Sequence, residues 1–177
     1  MKIKSLLLRL SLRNGIIAGV LAIAMMLVLY AANKHPFLIP MIADFRIFLF
    51  GLFIFFTLKE YRDKTEGNIL YFWQGMVGAY QFIGFFSLIT AVGILIFSWL
   101  EPNFIQQYIT LFLEQAEAGK AEVIQQMGKE NFERNLEAIR ATNGPERAFV
   151  YVIQNVWIGL FISIIISVIL RKQPKQN

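Results

Sequence analysis

Few residues in this chain have the chemistry to do more than pack. Asp44 and Arg46 stand near the start of an apolar run, and Arg62, Asp63 and Lys64 crowd a short charged connection. Gln74, Gln81, Asn155, Ser163 and Ser167 lie inside apolar runs, with Gly159 among them. In a membrane such groups could form a polar pathway, hold a ligand, or join helices by hydrogen bonds. A proton relay through Gln81, Asn155, Ser163 and Ser167 lacks the acidic residue that relays usually use, because no carboxylate lies deep in any run. Arg62 and Lys64 have the charge to contact a phosphate, although a loop of that composition is ordinarily just solvated. His35, the one histidine, is expected in an exposed loop beside Pro36, and with no cysteine any metal site would rest mainly on carboxylates. No nucleophile elbow and no glycine-rich phosphate loop is present. The expectation is therefore no catalytic residue, no metal, no cofactor and no enzymatic activity.

The elements that must position these residues follow from composition. The 177 residues are 56% hydrophobic and 16% charged, against about 25% charged in ordinary soluble domains. The apolar residues are gathered into four runs, to be compared with the roughly 20 residues that cross a hydrocarbon core. They are Gly15–Ala32, Pro40–Leu58, Ile69–Leu100 and Ala148–Leu170. The first is too long for an ordinary signal peptide core and is followed by no clear cleavage site, so it is read as a mature span. The third would be about 48 Å long as a straight helix and should tilt, kink or project beyond the bilayer. The expected fold is all-α, a single integral membrane domain over 1–177: a four-helix transmembrane bundle with an extracytoplasmic helical segment, about 101–147, between the third and fourth spans.

Lys and Arg orient this bundle. Ten of the 17 fall on one side: Lys2, Lys4, Arg9 and Arg13; Lys59, Arg62 and Lys64; Arg171, Lys172 and Lys175. Basic residues favour the cytoplasmic side, so both termini are expected inside. The +5 net charge is then a topology signal with affinity for anionic headgroups, and nucleic acid is not an expected partner.

The segment 101–147 carries eight acidic and five basic residues. Phe104, Ile105, Tyr108, Ile109 and Phe112 recur at helical spacing, Gly119 interrupts, and Phe132, Leu136 and Ile139 form a second stripe. A helical hairpin or bent helix is expected, either capping the bundle or binding a partner. Thr142–Glu146, "TNGPE", ends it and restarts the chain.

Within the spans, Gly15-x-x-x-Gly19 and the series Asn155, Gly159, Ser163, Ser167 have the small and polar spacing of helix contacts in lipid. Gln74 and Gln81 share a face of the third span. Asp44 and Arg46 lie only about 6–9 Å along a helix starting at Pro40, within snorkelling reach of the interface. Two positions apart on that helix they make poor partners, so each is expected to pair with another helix or with headgroups, at a structural or ligand-contacting position.

Tyr61–Tyr80, "YRDKTEGNILYFWQGMVGAY", resembles a family of small bacterial integral membrane proteins catalogued as domain of unknown function 4199. Tyr61, Arg62, Asp63, Lys64, Gly67, Phe72, Gln74 and Gly78 lie on its pattern, with Asn68 in place of a second glycine and Gly75 in place of a common alanine. The resemblance implies a four-span protein of the bacterial cytoplasmic membrane and carries no catalytic residues. Taken together, the expected role is a non-enzymatic subunit or scaffold of a bacterial envelope complex. Its partners would be membrane lipids and another membrane protein or a second copy. The alternatives are a small transporter or channel, alone or as a dimer, and a lipid-binding membrane protein.

Overall fold

The computed structural model describes residues 2–40 and 43–173, which are all-helical. Helix α1 is Lys2–Ala31, α2 Phe45–Asp63, α3 Phe72–Leu100, α4 Asn103–Ala118, α5 Lys120–Met127, α6 Lys129–Arg140 and α7 Gly144–Leu170. Single 3-10 turns at Pro36–Leu38 and Glu66–Asn68 sit in the connections on either side of α2. The described residues hold no strand, only an isolated antiparallel bridge in which Leu70 and Lys172 exchange backbone hydrogen bonds of 3.0 and 2.9 Å.

Three segments are long and apolar enough to cross a membrane: Leu6–Ala31, Phe72–Leu100 and Gly144–Leu170. That pattern points to a membrane-embedded protein. Helix α2 is apolar too, but Arg46, Lys59, Glu60 and Arg62 set it apart from those three. Each end of α3 carries an exposed tryptophan, Trp73 and Trp99. As a straight helix of 29 residues it would reach about 43 Å, enough to span the hydrocarbon and place both indoles at headgroup level.

Helix α3 is the hub. It packs against α1, α2 and α7, and its Phe82 and Phe86 lie fully buried with Phe50 and Ile54 of α2. The close approach of α1 needs glycine: a Cβ at Gly15 would sit 3.0 Å from the Phe82 carbonyl oxygen and 2.9 Å from Phe85 Cβ. Helix α7 approaches α3 in the same way, with Ser167 against Gly75 and Gly159 against Ile83. Small residues therefore set the helix spacing, as expected where lipid supplies no hydrophobic drive for helix association. Gly15→Leu should cost about 1–3 kcal/mol by overpacking against backbone. Gly51→Ala, where nothing lies within 4 Å, should be tolerated. Melting midpoints in detergent compare the two, and equal midpoints would contradict this packing.

The element boundaries differ from the sequence expectation in instructive places. Helix α1 begins well before Gly15, since Leu7 and Leu10 continue the buried stripe. Helix α2 begins at Phe45 rather than Pro40, with Asp44 as its N-cap. Asn143 caps α7, accepting a hydrogen bond from the Glu146 N–H, so that helix starts at Gly144. The segment after α3 is both bent and folded back. Gly119 separates α4 from α5, and Gly128, at φ 84°, allows the reversal that returns α6 against α4.

Candidate functional site

The end of the bundle nearest α4 holds a buried polar lock. Asp44 stands just before α2 in extended conformation (φ −72°, ψ 125°), and its Oδ1 accepts from the Arg46 N–H at 2.9 Å. Arg46 then turns back on the same carboxylate: Nε donates to Oδ2 at 2.7 Å and Nη2 donates to Oδ2 as well. The two side chains are 5% and 4% exposed. The expectation that they are poor partners is thus overturned, because Asp44 is a cap outside the helix and helical spacing does not apply to it.

The rest of the guanidinium is spent on α7. Nη1 donates to Asn155 Oδ1 at 2.8 Å, Nη2 to Gln154 Oε1 at 3.1 Å, and the group lies 3.9 Å from the Tyr151 ring centroid. Asn155 passes the connection to α3, its Nδ2 donating to Ser87 Oγ at 3.2 Å and lying 3.5 Å from Thr90 Oγ1. One continuous set of bonds therefore joins α2, α7 and α3. A buried charge left unpaired is costly, and here the cation is matched by one carboxylate and two amides.

Above the lock sits an aromatic roof built from four separate segments. Phe104 of α4 is fully buried against Tyr30, His35, Phe37 and Phe97, with ring centroids 4.8–5.3 Å away. Arg147 of α7 is held over Phe37 and Tyr108, 4.6 Å from each centroid, and its Nη1 donates to Tyr108 Oη at 3.3 Å. Among the described residues it forms no ion pair, and its buried Nε has no hydrogen-bond partner. Burial pushes the Tyr108 hydroxyl's pKa up, and Arg147 partly opposes the shift.

His35 is buried in this roof at 6% exposure, which corrects the expectation of an exposed loop histidine. Its Nδ1 accepts from the Phe37 N–H at 3.3 Å, so Nε2 carries the proton and donates to the Phe104 carbonyl at 3.0 Å. Burial lowers its pKa below the ordinary imidazole range, the Phe104 carbonyl opposes, and nearby Arg147 reinforces the lowering. Between the lowered pKa and about 6.5 the unfolded chain binds more protons than the folded one. Stability should therefore be full above about pH 6.5 and fall as pH drops through the folded pKa. Melting midpoints over a pH series test this in a chain with a single histidine, and His35→Gln should flatten the profile. A midpoint unchanged on acidification in both proteins would refute it.

The remaining polar candidates go elsewhere. Ser163 and Ser167 of α7, with Asn155, are at 0% exposure; Ser163 donates to the Gly159 carbonyl, and Ser167 packs on Gly75. Both are buried in the bundle, and the Ser167 Oγ has no hydrogen-bond partner among the described residues. Gln74 caps α3 by accepting from the Tyr71 N–H at 3.1 Å. Gln81 is half-buried, and its shielded Oε1 has no partner among the described residues.

At the opposite end of the bundle, Lys64 donates to Glu60 at 2.7 Å, Arg13 of α1 pairs with the same carboxylate, and Arg62 pairs with its neighbour Asp63 at 3.1 Å. A second polar join here, absent from the sequence reading, links α1 to its neighbours: Ser11 donates to the Gly78 carbonyl at 2.9 Å and Asn14 to Thr57 at 2.8 Å.

A family model described as "Protein of unknown function (DUF4199)" matches residues 13–172. The chain belongs to that family. The DUF4199 match takes in the charged elbow at Arg62–Lys64, the polar lock, the aromatic roof and α4 to α6 together. No curated protein and no solved structure matches the chain. Among the described residues no group of three or more His, Cys, Asp or Glu side chains is placed to hold a metal.

Proposed function

We propose that this DUF4199 protein is a non-enzymatic four-span protein of the bacterial cytoplasmic membrane, acting as a subunit or scaffold in an envelope complex. The observation that carries this reading is how the bundle uses its buried polar groups. Arg46, Asp44, Asn155, Ser87 and Thr90 satisfy one another across three helices, and Ser163 and Ser167 of α7 are fully buried, Ser167 packed on Gly75 of α3. Groups that hold helices together in this way serve a fixed framework. A transporter or channel would draw on the same residues, and their burial favours the framework reading.

Helix α2 is taken as the fourth span. Its 19 residues reach about 28 Å, close to a hydrocarbon core. Asp44 neutralises Arg46 at one end, and the other charges gather at the opposite end. The positive-inside rule then puts Lys59, Arg62, Lys64 and both termini in the cytoplasm and α4 to α6 outside. Because the chain has no cysteine, single-cysteine labelling is free of background. Glu122→Cys should react with an impermeant maleimide in intact cells, and Lys64→Cys only after permeabilisation. The reverse pattern would overturn the orientation.

The subunit role is tested by crosslinking in native membranes followed by mass spectrometry. A captured membrane protein or a second copy is expected. A strictly monomeric particle that carries no other protein through gentle extraction would overturn the role.

A further inference from the structure

Where the C-terminal end of α1 meets α4, the surface opens into a groove of about 450 Å³. Asn33 and Lys34 line one side, and Asn103, Gln106, Gln107 and Thr110 line the other. We propose that this groove binds a phosphate-bearing, hydroxyl-rich headgroup, with the phosphate at Lys34 and the hydroxyls on the carboxamides.

The chemistry of the lining points to that class. Lys34 is a compact cation of the kind that binds phosphate as a point charge. Four carboxamides and the Thr110 hydroxyl each both donate and accept, the pairing that neighbouring alcohol groups need. Among the described residues, no carboxylate lines the groove. Glu101, the residue after α3, accepts from the backbone N–H of Asn103 at 3.3 Å.

The groove is also preformed. Its floor includes Tyr30 and His35, and His35 links the two walls directly through its hydrogen bond to the Phe104 carbonyl. The Tyr30 ring stands edge-on to Phe104 at 5.3 Å between centroids. Fixed walls reduce the ordering cost of binding.

Position supplies the third reason. Apolar α1 ends at Ala31 and apolar α3 at Leu100, beside Trp99, which is 81% exposed. Indoles settle at the headgroup layer, so the groove mouth lies at that level, within reach of a lipid headgroup from the bilayer and of a soluble phosphate ester from water. This site rests on membrane embedding alone; it stands or falls independently of the scaffold role and of the orientation.

The test compares full-length protein from nanodiscs of phosphatidylglycerol and of phosphatidylcholine by native mass spectrometry, with a parallel titration of delipidated protein with glycerol 3-phosphate. Lys34→Gln combined with Gln106→Leu and Gln107→Leu is the groove variant, and Lys129→Gln on α6 is the control. All the substituted side chains are exposed, and melting midpoints verify folding. Preferential retention of phosphatidylglycerol, reduced about tenfold or more in the groove variant (about 1.4 kcal/mol) and unchanged in the control, supports a lipid source. Saturable glycerol 3-phosphate binding lost in the groove variant, without lipid preference, supports a soluble source. Equal retention of both lipids by wild type and groove variant, with no glycerol 3-phosphate binding, overturns the proposal.

Discussion

Asp44→Ala should destabilise the protein by about 3–5 kcal/mol, the usual cost of leaving one member of a buried ion pair without its partner. The carboxylate accepts three hydrogen bonds from Arg46, and its loss strands a guanidinium that is 4% exposed. The neighbouring amides of Asn155 and Gln154 are neutral and cannot balance the charge. Arg46→Met should cost less than Asp44→Ala, because a carboxylate at the start of a helix keeps its favourable place near the N–H groups. The double substitution should recover much of the Asp44→Ala loss, giving a coupling energy well outside additivity. Equilibrium unfolding in mixed micelles measures all three. Single losses below about 1 kcal/mol that simply add would show that the pair is solvated and the lock does not exist.

Phe104→Ala should cost about 3–5 kcal/mol as well, by removing a fully buried ring from a dense aromatic packing. The damage should be local. Phe104 is where α4 holds to the end of α1 and the loop carrying His35 and Phe37. Its loss should loosen α4 to α6 while leaving the contacts of α1 with α3 and of α3 with α7 intact. Hydrogen exchange should rise throughout α4, and proteolysis should appear around Gly119 and Gly128. Protection in α4 equal to wild type would refute an attachment through this ring.

The apolar helices were readable in the sequence because the lipid requirement is one-dimensional: length and composition mark α1, α3 and α7. The glycine and serine spacings were readable too, and Gly15, Gly159 and Ser167 sit at helix contacts. For Asp44 the outcome turns on one boundary, the start of α2 at Phe45. The signal was present, since an Asp directly before an apolar run is a helix N-cap, and it would have freed the carboxylate to turn toward Arg46. His35 and Arg147 were beyond reach for a different reason. Their surroundings come from α1, the loop after it, α4 and α7, and no local pattern announces that four distant segments will meet. The charge of the elbow, by contrast, is local chemistry, and its Glu60–Lys64 pair follows from helical spacing.

The pairing of Asp44 with Arg46 has a consequence for how the protein is made. A ribosome delivers α2 well before α7, so when α2 emerges Asn155, Gln154 and Tyr151 do not yet exist. An arginine that depended on α7 alone would lack a partner until the end of synthesis. Its carboxylate lies two residues upstream, so the counter-charge is delivered with the arginine in the same segment. The amides of α7 then arrive last and close a contact whose electrostatics were already settled. The order of synthesis and the order of assembly are thereby made compatible by a pair that needs no distant partner to form.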